Sequence, residues 1–208
     1  MANAYRNVTI SGLPGCGSTT LLNLLRVELG PENWTGFSGG EHMRAYAIEQ
    51  GYFKIDEHGE LHHDATVYPE DFDRQVDFGM RQRLQETEKQ ILESWLSGFM
   101  AQGVEGTLRI LMVCSDEAVR IDRVVNRDEV TVEEAKENMQ ARYDKNLEKW
   151  SKMYGEQWQE WVVGAGTLGP DQPIDFWHPS LYHLVIDTYK NSKEQSLQLV
   201  LDALEAKT

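Results

Sequence analysis

The sequence predicts an α/β fold in which helices cover both faces of a parallel β-sheet. A short β-branched stretch, Val8-Thr9-Ile10, leads into a cluster of glycines, and a leucine-rich helix is predicted directly after it, over 19–29. Residues 108–114 read LRILMVC, an apolar run without alternation. Such runs are typical of strands that are buried on both faces of a parallel sheet.

The composition agrees with a folded, acidic protein. The 208 residues fit one domain, or one core with inserts. Hydrophobic residues make up 40%, which is enough for a real core, so disorder of the whole chain is not expected. Because 34 acidic residues outnumber 20 basic ones, the net charge is −14. That charge excludes an electrostatic grip on a long nucleic acid, which needs a positive surface over many phosphates.

The expected location is the cytoplasm, with no membrane partner. Charged Arg6 is followed by only a short apolar stretch before Gly12, which does not fit a signal peptide. No run approaches the roughly 18 apolar residues that a membrane helix needs. Two cysteines, Cys16 and Cys114, are too few for a disulfide framework or a zinc site.

Between the first helix and the central strand, the pattern predicts two more helices and a short strand. Gly30-Pro31 ends the first helix. The predicted elements are a helix over 39–51, a polar surface segment over 52–68, a charged helix over 72–88 and a buried strand over 90–92 that ends at Glu93. His58, His62 and His63, in the polar segment, have irregular spacing, so we interpret them as surface residues rather than metal ligands.

The second half of the chain predicts a long charged helix followed by an aromatic insert. Thr131-Val-Glu-Glu134 has the pattern of a capping box, so a helix is expected to begin near Val132 and to reach about Tyr154. The other predicted elements are a helix over 116–126, an irregular packed insert over 155–179, a last strand over 184–186 and a closing helix over 192–206.

The glycine cluster after the first strand has the spacing of a phosphate-binding loop, G-x-x-x-x-G-K-[ST]. Glycines let successive backbone N–H groups turn toward one oxyanion. Ser18 occupies the lysine position, so the loop lacks the positive charge that a lysine would place on the nucleotide phosphates. Thr19 occupies the position of a magnesium ligand. The predicted nucleotide-binding residues are Gly12, Leu13, Pro14, Gly15, Cys16, Gly17, Ser18, Thr19 and Thr20. The alternative is a glycine turn that only connects a strand to a helix.

Five blocks together resemble the cytidylate kinase family, in particular its archaeal-type branch among the P-loop nucleoside monophosphate kinases. Their order and spacing match the family over most of the chain. The blocks are ISGLPGCGSTT (10–20), FSGGEHMR (37–44), ILESWLSGFM (91–100), VRIDRVVNRDEVTVEEA (119–135) with RYDKNLEKWSKMYG (142–155), and YHLVIDT (182–188).

The resemblance implies a three-layer P-loop NTPase-type sheet with helices on both faces, which carries two inserts. It places an acceptor-binding arm at 37–83 and a lid at 126–178. The core would comprise 1–36, 84–125 and 179–208. Family members transfer the γ-phosphoryl group of ATP to CMP or dCMP with Mg²⁺, and the resemblance suggests a monomer whose partners are these nucleotides.

The same resemblance implies roles for individual residues. Arg44 would grip the acceptor phosphate, and Glu93 would lie near the waters of a magnesium ion held by Thr19. Ser38, Asp73, Arg74 and Asp77 fall where the family contacts the cytosine and the sugar. Arg123, Arg127 and Arg142 match the lid arginines that gather on the transferring phosphoryl group, and Lys149 matches a basic lid position.

The chain departs from the family pattern at the loop lysine and again after Glu93. Ser94-Trp95 stands where the family has a Gly-Arg pair, which removes an arginine expected to hold the acceptor phosphate. Trp95 would then stack on a base or fill the core. The segments 52–68 and 158–178 exceed the usual length.

Two alternatives to a (d)CMP kinase remain open. Ser18 and Trp95 favour a catalytically silent nucleotide-binding protein, whereas the preserved arginines argue against it. The second alternative is a kinase that uses another acceptor, such as UMP, AMP or a modified pyrimidine. Because Cys16 lies near a helix N-terminus, we also expect its thiol to be somewhat activated.

Overall fold

The computed structural model describes residues 5–50, 54–55, 61–62 and 69–206. The strands are β1 Asn7–Gly12, β2 Thr35–Ser38, β3 Lys54–Ile55, β4 Leu61–His62, β5 Gln90–Glu93, β6 Thr107–Val113 and β7 Leu184–Asp187. The helices are α1 Ser18–Leu29, α2 Gly39–Gln50, α3 Glu70–Glu86, α4 Ser97–Met100, α5 Glu117–Asp128, α6 Val132–Met153, α7 Gly155–Trp158 and α8 Lys193–Glu205. Short 3₁₀ turns cover Gly30–Glu32 and Pro179–Leu181, and a π-helical turn covers Gln159–Val163.

Five strands form one parallel sheet in the order β2-β5-β1-β6-β7. Ile10 of β1 lies between Glu93 of β5 and Ile110 of β6 in the ladder, so the ends of these strands are in register. This arrangement confirms the predicted α/β class. Because all five strands point the same way, their carboxyl ends meet at one edge, which is where ligands bind in open parallel sheets.

Each face of the sheet has its own hydrophobic core. Ile110 packs into a cluster with Leu21 of α1 and Val200 of α8, whereas its neighbour Leu111 packs with Phe99 on the opposite face. Successive side chains of a strand point to opposite faces, so both faces of β6 are buried. This burial explains why the LRILMVC run is apolar without alternation.

The aromatic insert packs against the core, as the sequence predicts. Trp158 and Phe176 are fully buried, and the Phe176 ring meets the Phe99 ring edge-on with centroids 4.7 Å apart. Tyr154 and Val162 belong to the same cluster. The insert therefore forms the core of the second face.

The capping box at the start of α6 is also confirmed. The Glu134 amide donates to Thr131 Oγ1 at 3.2 Å, and Glu134 Oε2 accepts from the Thr131 amide at 2.8 Å. Most of the polar segment 52–68, with His58 and His63, lies outside the described residues. In the part of the chain that the structure describes, no helix is long and apolar enough to cross a membrane.

Candidate active site

A cavity of about 1320 Å³ opens at the carboxyl edge of the sheet. The glycine loop forms one wall, and α2 and α3 form another, while residues of α5 and α6 face both. The predicted site residues that line it are Gly12, Leu13, Pro14, Gly15, Gly17, Ser18, Thr19, Thr20, Ser38, Arg44, Asp73, Asp77, Glu93, Arg123, Arg127 and Arg142. Cys16 and Arg74 lie outside the lining.

Two glycines of the loop adopt a conformation that other residues rarely reach. Gly15 has φ +81° and Gly17 has φ +88°. A Cβ on Gly15 would also lie 2.5 Å from the Arg120 carbonyl oxygen, so a side chain there would clash with α5. Gly17 immediately precedes α1, whose first amides have no partner within the helix. The loop and the helix start thus offer N–H groups and a partial positive charge to an oxyanion.

Ser18, at the lysine position, forms a hydrogen bond with the strand next to the loop. Its hydroxyl donates to Glu93 Oε1 at 2.8 Å, and the Ser38 hydroxyl donates to Glu93 Oε2 at 2.7 Å. Glu93 is only 6% exposed, so these hydrogen bonds compensate for the loss of water around its charge. One carboxylate therefore joins the loop, the end of β5 and the residue that precedes α2.

The cavity concentrates positive charge in a chain that is acidic overall. The cationic side chains of the lining are Arg44, Arg123, Arg127, Arg142, Lys145 and Lys193, and its acidic side chains are Asp73, Asp77, Glu93 and Asp128. Sequence reasoning missed Lys145 and Lys193. Lys145 follows Arg142 by three residues, a spacing that places both on one face of α6, so this signal was present in the sequence.

The three predicted lid arginines reach the cavity with different partners. Arg123 donates to the Gly15 carbonyl at 3.1 Å and to the hydroxyl of Thr188, directly after β7, at 2.7 Å. Arg127 forms a two-point ion pair with its neighbour Asp128, with Nε 2.6 Å from Oδ1. Arg142 Cζ lies 4.8 Å from the centroid of the Trp95 ring. That they gather on one phosphoryl group stays a prediction.

The acidic residues of α3 contact the end of α6 and the residue after it. Asp73 pairs with the Lys149 ammonium, and the Tyr154 hydroxyl donates to Asp77 Oδ2 at 2.6 Å. Burial raises the pKa of Asp77 to about 7, although the hydrogen bond from Tyr154 acts in the opposite direction. Arg74 is not part of the cavity lining, and its guanidinium donates to the Met153 carbonyl at 2.5 Å.

The prediction of an activated Cys16 thiol is wrong. The side chain is 4% exposed and packs in the hydrophobic core rather than in the cavity. Burial disfavours the thiolate and raises the pKa of Cys16, and this effect outweighs the nearby charge of Arg120.

The parallel sheet and its glycine loop define an α/β protein of the P-loop class. The cytidylate kinase of Methanopyrus kandleri is 30% identical to this chain over 206 residues, which cover 95% of this chain and 92% of that protein. The chain belongs to the cytidylate kinase family, which confirms the resemblance seen in its five sequence blocks. No family model matches the chain.

Other relatives agree with this assignment, and solved structures agree with the fold. The cytidylate kinases of Haloarcula marismortui and Methanosarcina mazei are 27% and 29% identical, each over 96% of this chain and over 89% and 96% of their own length. An uncharacterized protein from Eubacterium ventriosum has a TM-score of 0.59 at 13% identity, covering 97% of this chain and 99% of its own. A gluconokinase from Sinorhizobium meliloti has a TM-score of 0.52 at 10% identity, covering 97% and 93%. These structural likenesses concern the fold alone.

Proposed function

We propose that this protein is an enzyme that transfers the γ-phosphoryl group of ATP directly to the phosphate of CMP or dCMP. The products are ADP and CDP or dCDP. The observation that carries the proposal is a shared cavity, in a member of the cytidylate kinase family, where the glycine loop faces Arg44 and the acidic residues of α3. One wall suits a triphosphate donor, and the other suits a pyrimidine nucleotide acceptor.

The donor half of the site rests on the loop between β1 and α1. Its backbone N–H groups, apart from that of Cys16, which donates to the Leu13 carbonyl, would bind the ATP phosphates without a lysine, because the left-handed conformation of Gly15 and Gly17 lets the loop turn around an anion. The Thr19 hydroxyl and the Glu93 carboxylate offer the hard oxygen atoms that Mg²⁺ prefers. Each Glu93 oxygen accepts one hydrogen bond from a serine, which leaves further lone pairs for metal-bound water. When bound, Mg²⁺ would neutralise charge on the phosphates.

The acceptor half of the site rests on the arm. Arg44 would bind the monophosphate through its planar guanidinium, which matches phosphate geometry. Cytosine carries an amino donor beside a ring nitrogen acceptor and a carbonyl acceptor. Asp73 and Asp77, whose pKa is raised to about 7, could accept hydrogen bonds from the amino group. Ser38 could reach the nucleotide from the neighbouring wall.

Transfer needs no nucleophile from the protein, because an acceptor phosphate oxygen attacks the γ-phosphorus in line. The protein's contribution is to hold both nucleotides and to neutralise charge as it develops. Arg123, Arg127 and Arg142 are proposed for that second task. Closure over the nucleotides would exclude water and thereby suppress ATP hydrolysis.

The proposed moving parts are an arm over 37–83 and a lid that begins near residue 126. Movement of the lid would be confined to its first part, α5 and α6 up to about residue 150. Tyr154, Trp158 and Phe176 are fully buried against the core, so moving the rest of 126–178 would expose a large aromatic surface.

Substitution of Arg44 tests the division into two halves. Arg44→Ala should raise the KM for CMP by roughly tenfold or more and leave ATP binding within about threefold, because one charge-assisted phosphate contact is lost. Steady-state rates give the first value, and titration calorimetry with ATP alone gives the second. Lys136→Ala, which removes an exposed cation outside the cavity, is the matched control. Equal losses for ATP and CMP would contradict the assignment.

A further inference from the structure

Trp95 is held in a fixed orientation at the edge of the cavity. It follows Glu93 by two residues and contributes to the lining. Its backbone carbonyl accepts a hydrogen bond from Trp177 Nε1 at 3.0 Å, and its ring meets the Trp150 and Trp177 rings edge-on, with centroids 5.7 and 6.0 Å away. Trp177 is almost fully buried, whereas Trp150 also contributes to the cavity lining. The ring therefore has little freedom to turn.

One face of this ring carries the guanidinium of a lid residue. Arg142 of α6 places Cζ 4.8 Å from the ring centroid, within the range of a cation–π contact. Both side chains also line the cavity, so the contact between them lies at the space where phosphate groups would bind.

Arg142 differs in this respect from the other two arginines. Arg123 is oriented by the Gly15 and Thr188 carbonyls, and Arg127 by the Asp128 carboxylate. Arg142, which interacts electrostatically with Asp128, also contacts an aromatic ring in the loop after β5, near Glu93. An aromatic neighbour attracts a guanidinium without carrying a formal negative charge of its own.

We propose that Trp95 is a positioning residue, which holds Arg142 at the phosphoryl-transfer end of the cavity. The face that Arg142 covers is not open to a nucleotide base, and the ring, which packs against the core cluster of the second face, also contributes to the lining of the cavity. Trp95 thus acts on the acceptor phosphate and the transferring phosphoryl group through Arg142. This inference rests on the proposed kinase function.

A double-mutant cycle tests the proposal. The variants are Trp95→Leu, Arg142→Ala and the combination of both, with Trp95→Phe as the conservative change and Lys136→Ala as a control on the same helix. We expect Trp95→Leu to lower kcat/KM for CMP roughly tenfold, which corresponds to a partly desolvated cation–π contact, and Trp95→Phe to lower it less than about threefold. In the Arg142→Ala background, Trp95→Leu should cost less than about twofold, because the residue it positions is gone.

A purely structural role of Trp95 gives a different result. The loss caused by Trp95→Leu would then be the same with and without Arg142, and that additivity would overturn the inference. Melting temperatures of all variants show whether the fold is intact. If the leucine variant does not fold, Trp95→Met, which keeps more of the volume without an aromatic face, replaces it in the same cycle. Absence of CMP and dCMP turnover in the wild-type protein would overturn the kinase function and this inference with it, whereas turnover with additive losses overturns the inference alone.

Discussion

Ser18 donates a hydrogen bond to Glu93 Oε1 across 2.8 Å, and this contact joins the phosphate-binding loop to the end of β5. A lysine at the same position would carry its charge toward the nucleotide phosphates. The serine instead contacts a carboxylate that Ser38 holds from the other side. The loop of this protein, which lacks the cation, is thus connected through Glu93 to Ser38, in the proposed acceptor arm.

Removal of the Ser18 hydroxyl should weaken both the fold and the catalysis. Ser18→Ala leaves Glu93 buried with one donor fewer, which should lower the free energy of unfolding by about 1–3 kcal/mol. The kcat should fall as well, because of the two serines that donate to Glu93 only Ser38 remains. Urea unfolding and steady-state rates measure these effects. Ser180→Ala, at an exposed serine in a 3₁₀ turn, is the control, and equal stability of the two variants would contradict this role.

Asp77 should make stability depend on pH in the direction opposite to that of an ordinary carboxylate. Its pKa is about 7 in the folded protein and near 3.9 when unfolded, so the folded state binds the proton more tightly. The stability that this proton contributes is present below about pH 4 and is lost as the pH rises toward 7, at up to about 1.4 kcal/mol per pH unit. Because the side chain in Asp77→Asn cannot ionise, this variant should lack the pH-dependent stability that comes from Asp77.

Urea unfolding of the wild type and of Asp77→Asn at pH 5 and pH 8 measures the effect. The wild type should lose roughly 2–3 kcal/mol relative to the variant between these two values. The difference between the proteins cancels the contributions of other titrating groups. Parallel pH dependence of the two proteins would show that Asp77 has an ordinary pKa.

The contact between Lys149 and Asp73 should contribute more to stability than an exposed ion pair on the same helix. The side chains of Lys149 and Asp73 are 18% and 10% exposed, whereas those of Lys152 and Glu148 are 75% and 70% exposed. Removing one partner of a largely buried pair leaves the other charge poorly solvated. Lys149→Ala should therefore lower the free energy of unfolding by about 1–3 kcal/mol and Lys152→Ala by less than about 0.5 kcal/mol. Similar losses in urea unfolding would contradict this difference.

Most strands and helices and the glycine loop could be predicted because their signals are local, whereas β2 and the short helix α4 were not predicted. The apolar run of β6, the capping box at Thr131 and the spacing from Gly12 to Gly17 each lie within a few residues of sequence. The predicted site residues of the arm and the lid came from the resemblance to the family rather than from local patterns. The cavity lining agrees with most of that list, from Ser38 and Arg44 to Arg142.

The remaining features depend on contacts between residues far apart in the chain. Ser18 and Glu93 are separated by 75 positions, and Asp77 and Tyr154 by 77, so no local pattern indicates that they meet. The burial of Cys16 depends in the same way on packing against β6 and its neighbours. A charged residue such as Arg74 gives no sign in the sequence of whether it faces the cavity or, as here, a backbone carbonyl.

The kinase function is best tested by measuring the release of ADP from ATP and Mg²⁺ in the presence of CMP, dCMP, UMP, AMP or GMP. We predict turnover with CMP or dCMP on the order of 1–100 per second and slower rates with the other acceptors. Such rates would also show that a serine at position 18 supports transfer. Nucleotide binding without turnover for any acceptor would refute the kinase function and identify a catalytically silent nucleotide-binding protein.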